Sequence, residues 1–261
     1  PYLFSYFRGE EWRTQREVRR LLDRYFTTAP DGIPGNDDTG TMSAWAVFSM
    51  MGLYPDCPGE PYYTLTSPVF DKVTVTLDPK YYPAGELVIE TERSGAGDVY
   101  IGSQAPRTDS LTQYVDMRIG TGGHGHVFMG ANVPYGAVQL GPTSIPQSWD
   151  WTSGYHISDT TVIGFSHTHL NGTGIGDLFD VTVMPVVGQV TYARGTEDDP
   201  QSGMWSYFSH ANEKARPGYY ATRLDRYGID VELTATKRVG LHKYTFPASA
   251  DAAVVFDLEN G

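Results

Sequence analysis

Apolar residues first recur at helical spacing in residues 12–26, where Val18, Leu21, Leu22 and Tyr25 share a face with charges between them. That spacing predicts an amphipathic helix. Over residues 39–51 the pattern changes. Met42, Ala44, Trp45, Val47, Phe48, Met50 and Met51 leave little polar face, and Gly52 and Pro55 stop the run. A helix apolar all round has to be enclosed by other elements, and the two or so helices of this chain are too few to enclose it. From Pro61 the pattern shortens to strands rich in β-branched residues, at 73–77 and 87–91, bounded by Pro/Gly turns. Residues 104–110 are polar, contain proline and have the composition of a linker. Beyond them the chain reads almost wholly as β, with strands near 114–119, 135–140, 161–166, 180–192, 217–235 and 239–246. A buried strand closes it at 252–258. This alternation, punctuated by Gly, Pro and Asn, predicts an antiparallel β-sandwich over 111–261 after a mixed region over 1–103. A core strand is an odd place to end, so the expectation is a piece of a longer protein.

Composition narrows the function classes. Of 261 residues, 40% are apolar and 19% charged, enough for a packed core. The net charge of −12 leaves no basic stripe to neutralise phosphates, which excludes a nucleic-acid partner. The Arg16, Arg19, Arg20 and Arg24 run is interleaved with acids and reads as a solvated helix face. No stretch approaches the roughly 18 apolar residues of a membrane span. A single cysteine, Cys57, rules out an internal disulfide framework. Aromatic content of 13% suits sugar-stacking clefts and large sandwich cores equally.

Four clusters could carry chemistry. On the loop at residues 31–45, glycines and a proline present Asn36, Asp37 and Asp38 just ahead of the apolar helix. A helix N-terminus favours an ionised carboxylate, the form a general base or cation ligand needs. The plainer reading is a helix cap by Asp38 or Thr39, which would need one such residue rather than three. Residues 120–126 match G-x-G-x-x-G, but no helix follows to receive a pyrophosphate; what remains is a turn carrying His124 and His126. A third cluster holds Trp149, Trp151, Tyr155 and His156, and a fourth holds His167 and His169. Histidines two apart on a strand face the same side, so zinc or copper ligation stays open beside buried, hydrogen-bonded histidines. Asn171-Gly-Thr173 is a glycosylation sequon by pattern.

Together these segments resemble glycoside hydrolase family 92, calcium-dependent exo-acting α-mannosidases. Gln113-Tyr-Val-Asp, Ile119-Gly-Thr-Gly-Gly-His-Gly-His, Val133-Pro-Tyr-Gly, Ser153-Gly-Tyr-His and Gly164-Phe-Ser-His-Thr-His-Leu-Asn-Gly-Thr-Gly resemble the start of its N-terminal β-sandwich. Pro34-Gly-Asn-Asp-Asp, Met42-Ser-Ala-Trp and Tyr54-Pro-Asp-Cys-Pro-Gly resemble the late part of its catalytic (α/α)6 domain. The order is inverted and the middle is absent. Three accounts stay open: separate stretches of one longer protein, a permuted and truncated chain, or the tail of one enzyme running into the head of a second.

The resemblance implies a partial (α/α)6 helical-barrel segment with short strands, followed by the sandwich. It implies an inverting, Ca2+-dependent mannosidase, α-1,2-type, removing terminal mannose from glycans in a secreted or periplasmic setting. Asp38 would be the general base, with Asp37 beside it. Asn36 stands where relatives carry a second carboxylate, which puts that helper role in doubt. Calcium would bind sugar hydroxyls through ligands mostly in the missing part. The general-acid glutamate would also lie there, since Glu10, Glu11, Glu197 and Glu213 read as surface charges. His124, His126, Trp151, Tyr155 and His156 would line the other wall of the cleft, with Trp151 as stacking platform. The competing reading is a non-catalytic mannoside-binding fragment; a metal-dependent hydrolase built on the histidines is a third.

Overall fold

The computed structural model describes residues 1–57, 62–92, 112, 115–145, 147–176, 178–190, 192–196, 199 and 202–258. The linker expected at 104–110 lies outside them. The chain forms two compact units, one of residues 1–26 and 41–109, the other of residues 27–40 and 110–261.

In the first unit, α1 (Glu11–Tyr25) buries Val18 and Leu22. Helix α2 (Thr41–Met51) buries Ala46 and Ser49. Tyr2 joins this core, with Phe26, Trp45, Met50, Tyr54 and Val69 packed around it; the Tyr2 ring stacks on Tyr54 at 4.7 Å. Strands β1 (Leu53–Tyr54) and β2 (Thr64–Leu65) pair antiparallel, as do β3 (Lys72–Thr76) and β4 (Glu86–Glu92). The predicted helix over 39–51 begins at Thr41 because Asp38, Thr39 and Gly40 have φ of +43°, +61° and +86°, outside the right-handed helical region. Two α-helices among the described residues do not make a barrel, so the expected barrel segment reduces to α1 and α2. Val47 on α2 remains 55% exposed.

The second unit is β. Its strands are β5 (Ala131–Asn132), β6 (Gln139–Thr143), β7 (Thr161–Val162), β8 (Gly164–Ser166), β9 (Thr182–Val187), β10 (Ser206–Tyr207), β11 (Lys214–Arg216), β12 (Tyr219–Leu224), β13 (Ile229–Ala235), β14 (Gly240–Thr245) and β15 (Ala252–Asp257). One sheet runs β15-β9-β8-β6-β5 and the other β11-β12-β13-β14, with β7 and β10 as a separate pair. The strand expected over 114–119 is a turn where it is described.

Alternation explains the packing. On β13, Ile229, Val231, Leu233 and Ala235 are buried, while Asp230 and Thr234 face out, the period-2 pattern of a half-buried strand. These residues meet Leu140, Phe165, Met184 and Val255 of the other sheet, and Met129 ahead of β5, in one core. Replacing Leu233 by Ala is expected to cost about 2–5 kcal/mol through lost contacts and a residual cavity. Urea unfolding monitored by tryptophan fluorescence checks it; a loss below about 1 kcal/mol would count against this core.

Candidate active site

Residues 27–40 belong to the sandwich unit, and main-chain hydrogen bonds show how. Gly122 N–H donates to Pro30 O at 2.9 Å, and Asp37 N–H to Gly125 O at 3.3 Å. Asp38 N–H donates to Gly172 O at 2.6 Å and Thr39 N–H to Asn171 O at 3.0 Å. Gly172 N–H in turn donates to His126 O at 2.7 Å. The carboxylate loop and two glycine-rich turns thus form one surface. Gly172 has φ +74°, and a Cβ there would lie 2.7 Å from Asp38 N, so the close approach requires glycine. Thr39, β-branched and left-handed, is strained backbone held by its neighbours. Asp37 is 3% exposed, whereas Asp38 and Thr39 are exposed, so the adjacent carboxylates point different ways.

Beside this loop, His124 and His126 converge on Asp150, which sits in a 3-10 turn over Trp149–Trp151. His124 Nδ1 is 2.6 Å and His126 Nε2 3.3 Å from Asp150 Oδ1. Burial works to raise the Asp150 pKa, and the hydrogen bond with His124 leads the contacts that offset it, holding the carboxyl below its usual range. Trp149 packs its ring 4.3 Å from that of His126 and 5.3 Å from that of His124. Its Nε1–H donates to Gly174 O at 3.0 Å, and the residue is 49% exposed. Trp149 and Asp150 lie in the third cluster of the sequence, which gives them no site role of their own. Their one signal was the position of Trp-Asp-Trp in a cluster already singled out.

The remaining candidates separate. Trp151 is half-buried, hydrogen-bonded through Nε1–H to Asp159 Oδ1 and tilted over His156 at 4.6 Å. Burial pushes the Asp159 carboxyl up to about 6, against the hydrogen bonds donated by Ser144, His156 N–H and Trp151. His156 is half-buried and lowered, mainly by burial, with the Asp150 charge opposing. An open pocket of about 330 Å3 lies against Trp151, Asp159, Thr160 and Tyr207.

Tyr155 is a correction. It is 1% exposed and leaves no face for a sugar, because its hydroxyl donates to Glu213 Oε2 at 2.9 Å in the core. Glu213 is a second correction. Read as a surface charge, it is buried and also accepts from Tyr220 at 2.7 Å. The His167/His169 pair does not converge, since β8 ends at Ser166. His169 is buried, stacked on Phe128 at 5.2 Å and bonded from Nδ1 to Gln139 O at 2.7 Å. His167 meets His242 instead, Nε2 to Nε2 at 3.1 Å.

Among the described residues, His124, His126 and Asp150 are the group of side chains able to hold a metal ion. Two imidazole nitrogens and one carboxylate do not suit calcium, which takes six to eight oxygen ligands.

The comparisons with known proteins decide the family. Residues 114–261 match the glycosyl hydrolase family 92 N-terminal domain, and residues 1–131 match the family's catalytic domain. The chain belongs to glycosyl hydrolase family 92. Within this family 92 chain the two matches run in inverted order, catalytic before N-terminal. A family GH92 α-mannosidase from Bacteroides thetaiotaomicron, solved in complex with mannoimidazole, is 40% identical with a TM-score of 0.56. That match covers 58% of this chain and 20% of the other. A second solved GH92 glycosyl hydrolase is 31% identical, with a TM-score of 0.51, over 58% of this chain and 21% of its own. A protein of Arthroderma benhamiae described as an uncharacterized secreted glycosidase is 33% identical over 147 residues, 52% of this chain and 17% of that protein. The family 92 chain therefore spans about a fifth of the length of these relatives. No helix among its described residues is long and apolar enough to cross a membrane.

Two outcomes follow from this geometry. Gly172→Ala should strain the loop contact and cost about 1–3 kcal/mol of stability, measured by urea unfolding; an unchanged midpoint would show that Asp37 and Asp38 do not depend on it. Burial lowers the His169 pKa from 6.5 to about 4. The unfolded chain then binds a proton that the folded chain does not. The contribution of His169 to stability should fall as pH drops from about 6.5 to about 4 and change no further below that. His169→Asn should reduce that slope in urea midpoints taken across the range.

Proposed function

We propose that the complete protein is an exo-acting, inverting α-mannosidase of the α-1,2 type that removes terminal mannose from glycans, in a secreted or periplasmic setting. The observation that carries this reading is the exposed Asp38, held in left-handed backbone by its N–H bond to Gly172 O, while Gly172 N–H bonds the His126 carbonyl. Inversion uses two carboxyl groups roughly 6.5–9.5 Å apart, one protonating the leaving oxygen and one activating water. Asp37 is turned inward and Asp38 outward, so Asp38 is the base, with its acid in residues beyond this chain. Asn36 and Asp37 frame the loop. His124, Trp151 and His156 line the sugar-facing wall of the sandwich unit; His126, expected with them, is 2% exposed and leaves no face for a sugar.

Residues 1–103 act as part of the catalytic (α/α)6 domain, which accounts for the exposed apolar face of α2. The sandwich occupies 111–261. Calcium, which the resemblance implies, would be held by oxygen ligands other than the His124, His126 and Asp150 group. This chain alone, without an acid partner, would bind mannosides rather than hydrolyse them.

In the complete enzyme, Asp38→Ala should lower kcat by about 10²–10⁴, the usual worth of a general base, with KM and the circular dichroism spectrum little changed. An unchanged kcat would remove Asp38 from the mechanism.

A further inference from the structure

The group formed by His124, His126 and Asp150 has an internal mismatch that points to a ligand. His126 Nδ1 lies 2.9 Å from Thr173 O. A backbone carbonyl only accepts, so Nδ1 carries the proton. In the neutral ring Nε2 then presents a lone pair. That lone pair faces Asp150 Oδ1, itself an acceptor, at 3.3 Å. The His126 side chain is fully buried there, so water does not separate the two. Something positive belongs between them.

We propose that His126 Nε2, Asp150 Oδ1 and His124 Nδ1 form a binding site for a borderline transition-metal dication such as Zn2+, in the sandwich unit. Two imidazoles and one carboxylate are the donor set of such ions. Bonds of about 2.0–2.2 Å at tetrahedral angles set ligand atoms roughly 3.3–3.6 Å apart. The His126–Asp150 spacing of 3.3 Å already meets this. The His124–Asp150 spacing of 2.6 Å is too short, but the His124 side chain is 62% exposed and can move outward. The three ligand atoms lie within 4.8 Å of one another.

The surroundings are built for a fixed ligand. The Thr173 carbonyl sets the His126 tautomer and aims Nε2 inward, the usual outer partner of a metal-bound imidazole. His126 is held at φ +55° by the Gly172 N–H bond to its carbonyl. Trp149 covers both imidazoles from one side. The site requires no turnover, and Asp38 is not among its ligands.

The test is titration of the metal-stripped chain with ZnCl2 by isothermal calorimetry, alongside His124→Ala, Asp150→Asn and His242→Ala. One Zn2+ per chain is expected. His124→Ala and Asp150→Asn should each weaken binding at least about tenfold, and His242→Ala, in the separate His167/His242 contact, should not. Asp150→Asn keeps size and shape, and His124 is exposed, so a folded variant is available in either case. No saturable binding, or binding weakened only by His242→Ala, would overturn the proposal. So would nitrogen-15 NMR showing a doubly protonated His126 that Zn2+ leaves unchanged, because a proton would then resolve the mismatch.

Discussion

Four main-chain hydrogen bonds tie residues 30–39 to the glycine-rich turns at 122–125 and 171–172, and the arrangement of the candidate site depends on them. They are backbone bonds, made by a loop far in sequence from its partners. They hold Asp38 and Thr39 in a region of φ that side-chain-bearing residues rarely occupy. Backbone held in such a conformation persists only where its surroundings over-determine it. Here the surroundings are the sandwich turns, so the conformation of the Asp37–Asp38 segment depends on those turns. The same contact forces glycine at 172, where any side chain would collide with the Asp38 amide.

The sandwich interior is less apolar than its strand pattern suggests. Thr143, Ser166 and Thr182 form a buried hydroxyl chain, Thr143 to Ser166 at 2.5 Å and Ser166 to Thr182 at 2.6 Å, with His169 at its end. Glu213 gathers Tyr155, Tyr220 and His210. Asp159 gathers Ser144, Trp151 and the His156 amide. His169, Glu213 and Asp159 each have partners, as the cost of an unmade hydrogen bond in low dielectric demands. The Asp159 cluster also fixes the 3-10 turn that presents Trp149 and Asp150. Core and site are therefore joined by a hydrogen-bonded path rather than by packing alone.

The first unit differs in kind. Its core is small, and Leu3, Trp12, Val47, Leu65 and Tyr81 are each at least half exposed. Residues 1–131 match the family's catalytic domain, while the chain spans about a fifth of its solved relatives. A helix pair with two short hairpins buries what it can. Its exposed apolar side chains suit the helical-barrel fragment proposed for residues 1–103.

Elements and family were legible in the sequence because both depend on local order. Helical spacing placed the helices to within two residues, strand alternation found most of the sandwich, and the long Gly/His/Asp motifs carried the resemblance that the family matches support. Facing direction was not legible. Tyr155 and Glu213 look like surface residues by type, yet they satisfy each other inside the core. His167 and His169 share a spacing but not a destination, since the strand ends before them. Trp149 and Asp150 became site residues because a turn brought them against His124 and His126. One-dimensional pattern determined which segments are helix or strand and which family they belong to. Only the tertiary structure decided which polar groups meet, because those partners lie far apart in sequence and are chosen by burial and close backbone approach.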